Sequence, residues 1–145
     1  MKVGRLCSRN PACVPIGAPL SAVVELMQRR HIGAVVVIDT PSDDPVPVGM
    51  ITDRDITHAQ LAHTADISRL SAAVVMTRDP MVLPESMTVT DAVQRMRARG
   101  VRRAPVVTEH GLLLGVLSTD DLLAHVAQEL SALARLVGRQ PSFES

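Results

Sequence analysis

The sequence predicts a mixed α/β (α+β) fold built from two copies of one β-α-β-β-α unit. Three observations predict it: a short signature that occurs twice, a fixed offset that carries the match far upstream, and apolar runs that alternate between strand and helix periods. The signature is Gly49-Met50-Ile51-Thr52-Asp53-Arg54-Asp55-Ile56 and again Gly115-Val116-Leu117-Ser118-Thr119-Asp120-Asp121-Leu122. Each copy reads glycine, two apolar residues, a hydroxyl residue, two variable positions, aspartate and an apolar residue. Upstream, Arg9, Pro11, Pro15, Val24, Met27, Arg30 and Val37 match Arg78, Pro80, Pro84, Val93, Met96, Arg99 and Val106, every pair 69 positions apart. The signature glycines are 66 apart, and the difference is a longer first-copy loop at Thr40-Pro41-Ser42-Asp43-Asp44-Pro45. The units are placed at 1–66 and 67–128, with 129–145 as a C-terminal helix extension and tail.

The first copy opens with Cys13-Val14-Pro15-Ile16 as a short extended segment, confined by its proline to an edge or entry position. Ser21 is the expected N-cap of a helix carrying Val23, Val24, Leu26 and Met27 on its apolar side. Ala34-Val35-Val36-Val37-Ile38 is a continuous β-branched run, the pattern of a buried strand. Val46 to Ile51 is its neighbour, and a second helix runs from about Asp53 through Leu61. In the second copy Met81-Val82-Leu83 is extended and ends at Pro84. Thr90 is the expected cap of a helix with Ala92, Val93 and Met96, which Gly100 closes. Ala104 to Val107 and Leu112 to Leu117 are strands around a His110-Gly111 turn. The last helix starts near Thr119 and carries Leu122, Leu123, Val126, Leu130, Leu133 and Leu136 at helical spacing. That stripe is expected to pack on the second copy or on a partner subunit. Ala65 to Val75 is read as a short link, so the copies should pack together.

Composition removes several classes of function. Of 145 residues 46% are hydrophobic, enough for a sizeable core, and the formal net charge is zero. No broad field therefore draws the chain to nucleic acid or to a membrane surface. No apolar run approaches the roughly 20 residues that span a bilayer. Met1-Lys2-Val3-Gly4-Arg5 lacks a signal-peptide core, so a cytoplasmic location is expected. With no Trp or Tyr and a single Phe, Phe143, aromatic base-stacking is excluded. Cys7 and Cys13 read as small buried or half-buried thiols, with a disulfide or redox pair as the alternative. His31, His58, His63, His110 and His125 are scattered, and no nucleophile-base pattern, phosphate-binding glycine loop or paired-carboxylate motif occurs. Neither catalysis nor a metal site is expected.

Met76-Thr77-Arg78-Asp79-Pro80, the run Arg99-Gly100-Val101-Arg102-Arg103-Ala104-Pro105-Val106-Val107 and the two signatures resemble tandem cystathionine-β-synthase (CBS) domains, over about residues 5 to 127. Thr52-Asp53-Arg54-Asp55 is similar to a very common form of that family's signature. The resemblance implies a regulatory module with pseudo-twofold symmetry and two clefts between the copies. In relatives such clefts hold AMP, ADP, ATP or S-adenosylmethionine. It implies ribose contacts from Asp55 and Asp121, and ribose or phosphate contacts from Thr52 and Ser118. It also implies a homodimer and a separate effector protein, with no required cofactor.

Chemistry agrees with those roles. A carboxylate can accept from both vicinal hydroxyls of a ribose. A helix start favours negative charge and offers backbone amides to phosphate. The competing structural reading is that Thr or Ser followed by Asp three residues on is a helix-capping pattern. Arg54, Arg102 and Arg103 are the candidate phosphate counter-charges. The copies differ there: Asp120 stands for Arg54, and Gly33 and Ala34 stand for Arg102 and Arg103. Unequal affinity of the two sites is expected. The candidate adenine slot is Ala12, Cys13 and Val14 in one copy and Met81, Val82 and Leu83 in the other, with Val37 and Val106 nearby. A ligand-free oligomerisation or protein-interaction module is the alternative function, with the last helix as its docking surface.

Overall fold

The computed structural model describes residues 1–39, 42–63 and 66–138. Thr40 and Pro41 of the predicted loop, Ala65 of the predicted link and the predicted tail beyond Gly138 lie outside the described residues. The elements run α1 (Val3–Leu6), β1 (Cys13–Pro15), α2 (Leu20–Arg30), β2 (Ala34–Ile38), β3 (Pro47–Thr52), α3 (Asp53–Ala62), α4 (Ala72–Val75), β4 (Thr77–Arg78), β5 (Leu83–Pro84), α5 (Val89–Arg99), β6 (Arg103–Val107), β7 (Leu113–Ser118) and α6 (Thr119–Gly138), with a 3-10 turn at Ile67–Arg69. They form a four-stranded sheet in the order β1-β2-β3-β4 and a three-stranded sheet in the order β5-β6-β7. The repeat is exact in topology: β1 pairs parallel with β2 and β2 antiparallel with β3, while β5 and β6 and then β6 and β7 do the same. Pro15 sits on the edge strand, where its missing N–H leaves no gap in the ladder.

Each sheet packs its inner face on its own helices. Val14, Leu20, Val23, Met27, Val35, Val37 and Ile51 form one core. Leu83, Ala92, Met96, Ala104, Val106 and Leu117 form the second. A third cluster of Val36, Ile38 and Met50, with Leu113 and Val116 against it, is the seam between the sheets. No helix among the described residues is long and apolar enough to cross a membrane.

The copies exchange their opening segments. Val3 and Cys7 are buried in the second core, and Ala72 and Met76 are buried in the first. The backbone repeats the exchange bond for bond: Val3 N–H donates to Met87 O (2.9 Å) as Ala72 N–H does to Ala18 O (2.7 Å), and Gly4 N–H to Glu85 O (3.0 Å) as Ala73 N–H does to Ile16 O (3.0 Å). Thr77 pairs with Met50 in one sheet, and Ser8 bridges Val116 in the other. The predicted link is therefore only partly a link, because its end, α4, completes the first core.

The signature glycines make this exchange sterically feasible. A Cβ on Gly49 would collide with the Met76 sulfur and stand 2.9 Å from Thr77 O. One on Gly115 would collide with Ser8 O and stand 2.9 Å from Cys7 Sγ. Each glycine is the point where the other copy's opening segment crosses a strand.

Three expectations need correction. The N-caps are Pro19 and Thr88, not Ser21 and Thr90, which lie inside α2 and α5. Val93 is 41% exposed and does not join the core. The α6 stripe does not pack on the second copy: Leu122 touches that core, but Leu123, Val126, Leu130, Leu133 and Leu136 are 59–65% exposed. Gly100 closes α5 in the left-handed region, φ 67°, as expected.

Candidate functional site

Two clefts lie between the copies, and both are built from equivalent positions. The first, about 610 Å³, is lined by Thr52, Asp53, Arg54 and Asp55 of the first signature and by Asp79 to Met81 and Arg99 to Arg103 of the second copy. The second, about 380 Å³, is lined by Ser118, Asp120 and Asp121 of the second signature and by Ser8 to Ala12 and Arg30 to Ala34 of the first copy. Both volumes fall within the roughly 300–1,000 Å³ of small-molecule sites.

At the floor of each cleft the signature closes on itself. In α3, Asp55 Oδ2 accepts from the Thr52 N–H (2.8 Å) and hydroxyl (3.1 Å), while the Asp55 N–H donates to Thr52 Oγ1 (3.4 Å). In α6, Asp121 Oδ2 accepts from the Ser118 N–H (2.9 Å), and the Asp121 N–H donates to Ser118 Oγ (3.1 Å). These are reciprocal capping boxes, so the structural reading of the Thr/Ser-Asp spacing is correct for both copies. The second carboxylate oxygens face the clefts. Asp55 Oδ1 accepts from the Thr77 hydroxyl (2.9 Å), and Asp121 Oδ1 accepts from the Ser8 hydroxyl (3.3 Å). Each oxygen has two lone pairs, so each Oδ1 keeps the capacity to accept one further hydrogen bond. Thr77 and Ser8 stand 69 apart and were legible from the offset, yet they escaped the sequence reading.

The helix starts offer phosphate less than the sequence implies. The Asp53 N–H donates to Gly33 O (3.2 Å) and the Thr119 N–H to Arg102 O (2.9 Å), while the capping boxes occupy the Asp55 and Asp121 amides. Counter-charge for an anion must therefore come mainly from arginine.

Arginines separate the two clefts. In the second, Arg9 donates to Gly4 O (2.7 Å) and Arg30 to Asn10 O (2.9 Å), so both guanidiniums are already engaged. In the first, Arg54, Arg99, Arg102 and Arg103 have neither a side-chain hydrogen bond nor an ion pair among the described residues. Arg103 lines both clefts, together with Gly33 and Met50.

Of the predicted adenine slot, Met81 lines the first cleft and Ala12 the second. Val14 and Leu83 point into the cores instead, and Cys13 and Val82 line neither cleft. The apolar walls are Met50, Pro80, Met81 and Val101 in the first cleft, and Pro11, Ala12, Ile32, Val36 and Val116 in the second. Burial pushes the Cys7 and Cys13 thiols above the ordinary thiol range, against the opposing pull of Arg9 and Arg30. Both cysteines are free.

The CBS domain family model matches residues 3–62 and 70–128, and the chain belongs to this family as a tandem pair. Such proteins are regulatory ligand-binding modules, and those that stand alone are generally not catalytic. The chain is 29% identical over 126 residues to a protein of Methanopyrus kandleri, covering 85% of this chain and 61% of that one, so it spans about three-fifths of that relative's length. It is 28% identical to hypoxic response protein 1 of Mycobacterium tuberculosis, over 80% of this chain and 78% of the relative. A CBS domain protein of Pyrobaculum aerophilum, solved in complex with AMP, superposes with a TM-score of 0.75 at 27% identity, covering 91% of this chain and 99% of the other. A solved hypoxic response protein I carries two coordinated zinc ions; among the described residues here, no group of three His, Cys, Asp or Glu could hold a metal ion.

Proposed function

We propose that this protein is a regulatory sensor that binds an adenosyl ligand, AMP, ADP, ATP or S-adenosylmethionine, in the first cleft and passes the signal to a separate effector protein. The observation that carries this reading is the set of four unpaired arginines around that cleft, beside a carboxylate oxygen with an open lone pair. Unpaired guanidiniums in a concave site are the groups that recognise phosphate oxygens. Asp55 accepts a ribose hydroxyl through Oδ1. Thr52 sets the carboxylate, and Arg54, Arg102 and Arg103 meet the phosphates. Met81 and Val101 offer an aliphatic clamp for the base. The AMP bound by the Pyrobaculum protein supports the ligand class. The second cleft, with Ser118 and Asp121 at its floor, is smaller and takes a ligand with less negative charge.

Signalling follows from geometry. The first cleft draws Thr52–Asp55 from one copy and Met81 and Val101–Arg103 from the other, so a ligand bridging them favours one relative placement of the copies. A ligand switches a protein only through such a difference in affinity between two states. The protein acts by binding rather than by catalysis.

Thermal unfolding with each of the four ligands tests this reading. At about 100 times its dissociation constant a ligand adds about 2.7 kcal/mol to the folded state, a rise of several degrees in Tm. No rise with any of them would leave the assembly-module reading, which the exposed face of α6 independently favours.

A further inference from the structure

Gly33, Met50 and Arg103 line both clefts, so the two sites meet at one wall. Arg103 is the charged member of that wall. As the first residue of β6 it stands opposite Ser118 of β7, at the floor of the second cleft. Its side chain reaches Gly33, the residue before Ala34, which stands opposite Thr52 at the floor of the first. A Cβ on Gly33 would lie 3.6 Å from Arg103 Nη2 and 2.9 Å from Asp53 Oδ2. The guanidinium itself, and not only its stem, therefore sits at the junction. Among the described residues it has no ion pair, even with Asp53 nearby. The repeat explains why one group serves two sites. The first-copy equivalents of Arg102 and Arg103 are Gly33 and Ala34, so the second copy alone supplies a guanidinium here. Charge makes that group decisive. Apart from Arg103, and with histidine counted as neutral, the second cleft sets Arg9 and Arg30 against Asp120 and Asp121. The first sets Arg54, Arg99 and Arg102 against Asp53, Asp55 and Asp79. Each lining is balanced without Arg103, and Arg103 is the one formal charge by which either favours an anion.

We propose that Arg103 couples the two clefts negatively: the phosphate of a ligand in one cleft takes the guanidinium and weakens phosphate binding in the other. The inference rests on the reading of the clefts as adenosyl-ligand sites and adds to it an order of filling. A guanidinium engaged in its fork geometry by one phosphate has its charge largely offset and its paired donors occupied. A second phosphate brought to the same group meets the first at short range, in a cleft whose remaining charges cancel. The loss is mutual, because a coupling free energy between two binding sites is reciprocal. The first cleft fills first, since Arg54, Arg99 and Arg102 are unpaired there, whereas Arg9 and Arg30 of the second are engaged by carbonyls. The second then takes a phosphate ligand only at higher concentration, so one chain reads two concentration ranges. A ligand without phosphate does not compete for Arg103 and fills the clefts independently.

Amide NMR of the isotope-labelled whole chain tests the coupling, with AMP and adenosine as probes. Gly100 and Val101 line the first cleft alone and report it, and Asn10 and Ile32 report the second. Asp55→Asn gives the second cleft's affinity with the first empty, and wild type gives it with the first filled. In wild type AMP is expected to bind the second cleft roughly tenfold or more weakly than in Asp55→Asn, within the span of ordinary coupling between sites. With Arg103→Gln added to both proteins the two affinities are expected to agree within about twofold, as for independent sites. Adenosine, which brings no phosphate, is expected to show no difference with Arg103 present. Equal or tighter AMP binding at the second cleft of wild type overturns the proposal and leaves the sensor reading standing. A difference that survives Arg103→Gln, or that adenosine also shows, assigns the coupling to movement of the copies and overturns the role of Arg103. Second-cleft amides that stay still with AMP in Asp55→Asn remove the second site and the proposal with it. If the amides of neither cleft move in wild type, the sensor reading itself falls.

Discussion

The two clefts share a backbone plan and differ in their charges. Both have a capping box at the floor, a hydroxyl from the exchanged segment on the aspartate and a wall lent by the opposite copy. Yet the first is the larger and holds Arg54, Arg99 and Arg102 without partners, while the second has Arg9 and Arg30 engaged and shares only one arginine, Arg103, with the first. Duplication fixed the architecture, and three positions broke the equivalence: Arg54 against Asp120, Arg102 against Gly33, and Arg103 against Ala34. Cleft geometry in a tandem fold is a property of the repeat, and ligand preference is a property of its departures.

The largest expected effect tests those departures. Arg102→Ala should weaken a phosphate-bearing ligand in the first cleft by roughly 1.5–3 kcal/mol, about tenfold or more, and leave the second unchanged. Arg103→Ala should weaken both, because Arg103 lines both. Calorimetric titration checks the pair, and equal effects of the two variants on both clefts would erase the distinction.

Next come the signature glycines. Gly115→Ala drives a Cβ against the Ser8 backbone and should cost on the order of 1–3 kcal/mol in urea unfolding. Gly49→Ala should cost less, since the Met76 side chain can move aside and the backbone contact that remains, Thr77 O at 2.9 Å, is milder than the collision with Ser8 O. Wild-type stability for Gly115→Ala would contradict the account of the crossing.

A smaller effect concerns the caps. Because Asp55 and Asp121 both close capping boxes, replacing either by alanine should lower stability by about 1 kcal/mol, apart from any loss of binding. Binding experiments are therefore better done with asparagine, which removes the charge and keeps an acceptor.

The smallest effect is on the thiols. Raised pKa values mean little thiolate at neutral pH, so Cys7 and Cys13 should alkylate slowly, and Cys7, the more covered, slower still. For groups raised in the folded state, the associated stability is complete below the ordinary thiol pKa of about 8.5 and is lost only as pH rises through the raised values. Mass spectrometry of alkylated protein across pH 7 to 10 gives the order. Rapid labelling of Cys7 at pH 7 would contradict its burial.

The repeat made most of the fold legible. β2 is a β-branched run, the signatures announce α3 and α6, and Gly100 announces the end of α5. What stayed hidden was tertiary. Val3, Cys7, Ala72 and Met76 are ordinary apolar residues, and nothing in their spacing says which core they enter. The helix starts at Pro19 and Thr88 are set by bridges to Ser71 and Lys2, which local cap preference cannot register. Of the candidate site residues, those of the two signatures line the clefts, whereas Val14 and Leu83 of the candidate slot lie in the cores. Val14 and Leu83 sit within β1 and β5, while Ala12 and Met81 precede those strands and lie half-buried between core and cleft, a placement that only the tertiary packing fixes.

The most direct test is calorimetric titration of wild type, Asp55→Asn and Asp121→Asn with AMP and with ATP. The account predicts that the tightest binding is lost in Asp55→Asn and kept in Asp121→Asn. Loss in Asp121→Asn alone, or wild-type affinity in Asp55→Asn, would contradict it.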